Sequence, residues 1–210
     1  MNCLMIPLNG FLAHFIADHA FTNVYSDTLK DKNKLMTHIL WSFFVILTFT
    51  FESLKSVAGI IAFFVLVSYH VGVDIYRSKK GTDFKKELAY LAGAFLINVV
   101  FFEVYIHSYI SKEFVYYLIG MMFATSFGSF IERTFNIIDP QMKDTAGASE
   151  RLAIYIFLSK FKAELVLVSI FAGLLYRFFF VKEKSKEWIF SPIYGVIVSS
   201  IWILFMNVVL

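Results

Sequence analysis

Residues 56–76 read SVAGIIAFFVLVSYHVGVDIY. No charge interrupts the run until His70 and Asp74 arrive among apolar neighbours. About 20 mostly apolar residues are what an α-helix needs to cross the hydrocarbon of a bilayer. A helix can lie there because it satisfies its own backbone. Similar runs recur near 3–22, 35–51, 88–110, 114–131, 163–181 and 188–210, with a shorter one at 150–160. They are far longer than the roughly ten-residue strands of a membrane barrel. The expected fold is all-α, a polytopic transmembrane helix bundle of six to eight helices, with residues 1–210 forming a single integral membrane domain. The run at 150–160 is too short to span, and is expected to be re-entrant or to bend at the interface through Lys160 and Lys162.

Composition agrees. Of 210 residues, 59% are hydrophobic, 17% are charged and 26 are Phe. A soluble domain carries about a quarter charged residues and could not bury so many aromatic side chains; lipid can solvate them. The lipid bilayer is therefore the expected partner. A net charge of +3 is too small to suggest nucleic acid. The lone Cys3 excludes an intrachain disulfide. Met1 to Leu12 is apolar but lacks a basic start and a small-residue cleavage site, so it reads as the beginning of the first helix.

Lys and Arg alternate from loop to loop. Lys30, Lys32 and Lys34 fill the first, and Arg77, Lys79, Lys80, Lys85 and Lys86 fill the third. Arg133, Lys143 and Arg151 fill the fifth, and Lys182, Lys184 and Lys186 the seventh. Only Lys55 and Lys112 mark the second and fourth. The positive-inside rule puts the odd loops in the cytoplasm and the N-terminus outside.

Ionisable residues within spans cost roughly 2.5–3.5 kcal/mol at the centre on insertion scales, so each is a functional candidate. His14 and Asp18 stand four apart in the first helix, and His70 and Asp74 repeat that spacing in the third. Residues four apart share a helix face. His38 lies near the start of the second helix, which runs the opposite way, so all five are expected at similar depth. Neutral imidazole with carboxylate suits a divalent metal, zinc first, with manganese or iron next. Such a metal lowers the pKa of bound water and polarises a phosphoryl or carbonyl oxygen. Glu150 is then a candidate general base, while Arg151 and Arg177 are candidates to hold an anionic substrate group.

Blander readings stand beside these. A His and Asp one turn apart can simply hydrogen-bond near the interface. Glu150-Arg151 can be an ordinary helix start, and Arg177 a snorkelling anchor. Glu103 and His107 read as a solvated interfacial pair, and Asn98 as an interhelical hydrogen bond. Gly120, Gly128 and Gly173 read as permitting close packing, and Phe178 to Phe180 as lipid contact.

Three pieces taken in order resemble a bacterial membrane-protein family, domain-of-unknown-function family 3307. They are His14 with Asp18; Ser68, His70 and Asp74; and Gly147, Glu150 and Arg151. His38 falls where that family has a helix-two histidine, and Arg177-Phe178 resembles its basic-aromatic helix ending. The chain departs from the pattern at Thr22, where Gln is usual, at Ser42, where a second His is frequent, and at Gly173, where Lys is expected. The resemblance implies a prokaryotic or phage protein of the inner (cell) membrane. It is looser towards membrane-bound metal-dependent hydrolases.

The leading expectation is a multi-pass membrane protein with a cytoplasm-facing metal site, hydrolysing a phosphorylated or lipidic substrate. The rivals are a proton- or cation-coupled transporter or channel, and a non-catalytic membrane partner whose cluster is a structural staple.

Overall fold

Asp31, Ser56 and Asp83 each stand just ahead of a helix and accept hydrogen bonds from its first backbone N–H groups. Those caps satisfy donors that have no partner within the helix. They set the starts of α2 (Lys32–Thr50), α3 (Val57–Lys80) and α4 (Phe84–Val100). The computed structural model describes residues 5–20, 23, 30–181 and 186–209. Before these helices lies α1 (Asn9–His19). After them come α5 (Lys112–Met122), α6 (Gly128–Thr134), α7 (Thr145–Ser159), α8 (Ala163–Phe180) and α9 (Glu187–Val209). A π-helical turn at Phe123–Phe127 joins α5 to α6 as one helix. The fold is all-α, with eight helices among the described residues once α5 and α6 are counted together.

Among the described residues, five helical stretches are long and apolar enough to cross a membrane: Lys32–Lys55, Val57–Lys80, Lys112–Thr134, Ala163–Phe180 and Glu187–Val208. Phe178, Phe179 and Phe180 all project outward, as lipid-facing side chains would. Three expected helices differ from their runs. The first has 11 helical residues and the expected fourth ends at Val100, followed by a 3₁₀ turn at Phe102–Tyr105. That fourth helix also begins earlier than expected, because the Asp83 cap lets it wind through the charged Lys85-Lys86-Glu87 segment. The short sixth helix starts at Thr145. Cys3, Thr22, the outer ends of the first expected helix, loop residues 24–29, and Lys182 and Lys184 lie outside the described residues.

The chain forms two compact units, Met1–Leu118 and Ile119–Leu210. In the first, α1 is buried on nearly every side, its polar Asn9, His14, Asp18 and His19 included. It packs against α2, α3 and α4. Its N-terminal donors find a partner on α4, where Asn98 Oδ1 accepts from the Gly10 N–H at 2.9 Å and the Phe11 N–H at 3.1 Å. The Asn98 amide in turn donates to the Pro7 carbonyl at 2.8 Å. The expected interhelical role of Asn98 is therefore real, and it caps a helix from outside.

In the second unit α7 lies against α6, α8, α9 and the π turn. Gly128 lets it come close, since a Cβ there would stand 2.7 Å from Arg151 Nε. A π turn leaves carbonyls out of the regular ladder. Here Ala124 O accepts from Arg151 Nε at 3.0 Å and Thr125 O from Arg151 Nη2 at 3.3 Å.

Candidate metal centre

The two His-x-x-x-Asp pieces sit in the C-terminal halves of α1 and α3, whereas His38 is in the first turns of α2. Helices running in alternating directions bring these segments to one end of the first unit. His14, Asp18, His38, His70 and Asp74 are all buried there. Each intrahelical pair meets: His14 Nε2 is 3.2 Å from Asp18 Oδ2, and His70 Nε2 is 3.1 Å from Asp74 Oδ2. His38 Nε2 approaches the same Asp74 oxygen at 3.3 Å, and His70 Nδ1 lies 3.3 Å from Asp18 Oδ1.

Asp18, His38, His70 and Asp74 each offer a donor atom, and these atoms all lie within 4.8 Å of one another. His14 stands beside this group, its Nδ1 3.2 Å from His70 Nδ1. Four of the five expected ligands thus converge, and the fifth touches two of them. Asp74 Oδ2 and His70 Nε2 are buried and stand 3.1 Å apart without good hydrogen-bond alignment. Buried polar atoms are rarely left so. Donors bound tetrahedrally to zinc lie about 3.3 Å apart, which follows from metal–ligand lengths of about 2.0–2.2 Å. The spacing around Asp74 Oδ2 matches.

Two residues that the sequence reading counted as loop charges belong to the cluster. Arg77 is 4% exposed and Glu87 fully buried. Arg77 donates to Asp18 Oδ1 and Oδ2 at 2.9 and 2.8 Å, to Glu87 Oε1 and Oε2 at 2.9 and 2.7 Å, and to Asp74 Oδ1 at 3.1 Å. All five guanidinium N–H groups are thereby used. Its carbon lies 5.0 Å from the centre of the Tyr90 ring, and Thr82 donates to Glu87. A second possible donor group, Asp18, His19 and Glu87, surrounds this guanidinium. The signal was present in the spacing: His70, Asp74 and Arg77 continue one face of α3.

Three carboxylates, Asp18, Asp74 and Glu87, thus face one guanidinium. With all three ionised and the imidazoles neutral, negative charge is in excess in a buried place, which is costly. One divalent cation would balance it. The donor chemistry fits such an ion.

Glu150, Arg151 and Arg177 belong to the second unit and form a different network. Arg151 donates to Glu132 Oε1 at 2.9 Å, Ser191 Oγ at 2.9 Å, Ser129 Oγ at 2.8 Å and Asp144 Oδ2 at 2.5 Å. Ser191 donates to Glu150 Oε2 at 3.0 Å, and Arg177 Nη2 reaches that oxygen at 2.9 Å and Glu187 Oε1 at 3.3 Å. Arg177 is 1% exposed, so it is no snorkelling anchor. Burial alone would raise the Asp144 carboxyl, but the Arg151 guanidinium and the Ser129 hydroxyl hold it below its ordinary value. Glu132, Asp144 and Ser129 were not singled out from sequence, because their partners lie across different helices.

No family model, curated protein or solved structure matches the chain.

Proposed function

We infer that this is a polytopic membrane protein that holds one divalent metal, zinc by its donor set, and uses it to hydrolyse a phosphorylated or lipidic substrate. The observation that carries the reading is the meeting of His38 Nε2 and His70 Nε2 on Asp74 Oδ2, at 3.3 and 3.1 Å. Asp18 is committed to Arg77 through both oxygens, which leaves His38, His70 and Asp74 as the ligands. Two imidazoles and one carboxylate make a three-ligand set, the pattern of catalytic rather than structural zinc; iron would accept the same set. Bound there, the metal would supply an acidified water and a Lewis acid. His14, touching both Asp18 and His70, orients the ligands.

The polar cluster is confined to one end of the first unit. Deeper in, the core is apolar, formed by Ala13, Ile46, Phe63 and Leu66. That distribution favours a fixed site over an ion path. Part of the resemblance to family 3307 rests on these same residues, and it implies a prokaryotic or phage membrane protein; the cytoplasm-facing placement follows from the alternation of basic loops.

The test is metal content by mass spectrometry on detergent-purified protein, followed by turnover of p-nitrophenyl phosphate and of phosphatidic acid vesicles. Near-stoichiometric zinc, manganese or iron is expected in the wild type, lost in Asp74→Asn and His70→Ala. His14→Ala should bind about 10–100-fold more weakly. No metal in any preparation, after metal is supplied throughout purification, overturns the site. Bound metal without chelator-sensitive turnover of either phosphoester overturns the hydrolytic half alone.

A further inference from the structure

A cavity of about 520 Å³ lies beside α7 and α8 of the second unit, within the range of small-molecule sites. Its wall includes apolar Ala153, Val168 and Ala172 and the hydroxyls of Thr145, Ser149 and Ser169, with Glu150 as its sole carboxylate among the described residues. The Glu150 side chain is 1% exposed. Oε2 is held by Arg177 and Ser191, whereas Oε1 has no hydrogen-bond partner among the described residues. Gly173 leaves room for that oxygen, since a Cβ there would stand 2.4 Å from it.

A buried carboxylate oxygen with an open lone pair asks for an N–H or O–H donor. An anion is repelled there. A metal ion needs more ligands than a single carboxylate supplies. The surrounding charges select further: Glu132, Asp144, Glu150 and Glu187 face only Arg151 and Arg177. Glu150 shares its one guanidinium, Arg177, with Glu187, so a cationic donor suits its open oxygen better than a neutral one. The rest of the wall is mostly apolar, and Val168 and Tyr176 also reach the outer surface of a helix apolar enough to face lipid.

We propose that the cavity between α7 and α8 binds a primary ammonium group carried on an apolar body, with Glu150 Oε1 accepting its N–H. The ammonium belongs either to an aminophospholipid headgroup or to a free alkylamine. A quaternary ammonium of equal charge is discriminated against because it has no N–H to give.

The experiment uses the full chain. Octylammonium and octyltrimethylammonium are titrated calorimetrically into detergent-purified protein, and phosphatidylethanolamine is compared with phosphatidylcholine for retention in native mass spectrometry. Binding of octylammonium at least tenfold tighter than its trimethyl analogue assigns a free amine. Selective retention of phosphatidylethanolamine without that preference assigns the lipid. Either should be lost in Ala153→Phe, which fills the cavity and leaves the ion pairs intact, and weakened about tenfold in Glu150→Gln. Gly173→Ala displaces the same oxygen without removing charge and should act like Glu150→Gln, keeping the test open if that variant fails to fold. Equal binding of both octyl compounds together with equal retention of both lipids overturns the proposal, as does full binding by a folded Ala153→Phe.

Discussion

A lysine in place of Arg77 would keep the charge and lose the fork. Five N–H groups in a plane serve three carboxylates on α1, α3 and α4, and an ammonium has only three donors. Arg77→Met leaves buried carboxylates without their counter-charge, a change that costs about 3–5 kcal/mol. Arg77→Lys should recover only a minor part of it, read as the thermal unfolding midpoint in detergent. Arg77→Met combined with Glu87→Met should recover more, because one stranded charge is removed with its partner. A midpoint for Arg77→Lys equal to wild type would show that charge alone matters. The residue was hard to see in sequence for a physical reason. Arg beside Lys79 and Lys80 at a helix end looks like any solvated cytoplasmic cluster, and two of its three carboxylate partners lie 59 and 10 residues away. His14, Asp18, His70 and Asp74 were legible because their partners are one turn away, where a helix guarantees the meeting.

At the scale of elements, α1 depends on a side chain it does not own. Asn98 supplies an acceptor to Gly10 and Phe11 and a donor to Pro7. Asn98→Ala strands those groups at about 1–3 kcal/mol for each one left unpaired. The unfolding midpoint should fall, and hydrogen exchange at the Gly10 and Phe11 amides should quicken while α3 amides exchange as before. Unchanged exchange at Gly10 would mean that another group caps α1. Apolar runs located the helices well, since lipid-facing and core-facing residues are both apolar and only length matters. Ends were read less well where caps, not hydropathy, decide them. Asp83 carries α4 back through two lysines, whereas α7 gains a turn before Glu150 with no side-chain cap at its start.

At the scale of the whole molecule, the alternation of basic loops makes a prediction that labelling can check. In a Cys3→Ser background, Lys55→Cys and Lys112→Cys should react with an impermeant maleimide on intact cells. Lys80→Cys and Lys143→Cys should react only after permeabilisation. The reverse pattern would put the His/Asp cluster on the other side of the membrane. The division into two compact units was not legible, because a continuous apolar helix runs across the boundary and composition does not change there. One further consequence concerns biogenesis. α1 is about 16 Å long by its 11 residues, about half the hydrocarbon thickness, and it carries Asn9, His14, Asp18 and His19. Lipid offers those groups nothing, so α1 cannot wait in the bilayer for its neighbours as a lone span would. α1 therefore settles only once α2, α3 and α4 offer the surface it packs against. Until it does, His38, His70 and Asp74 stand unroofed on the side where His14 and Asp18 meet them.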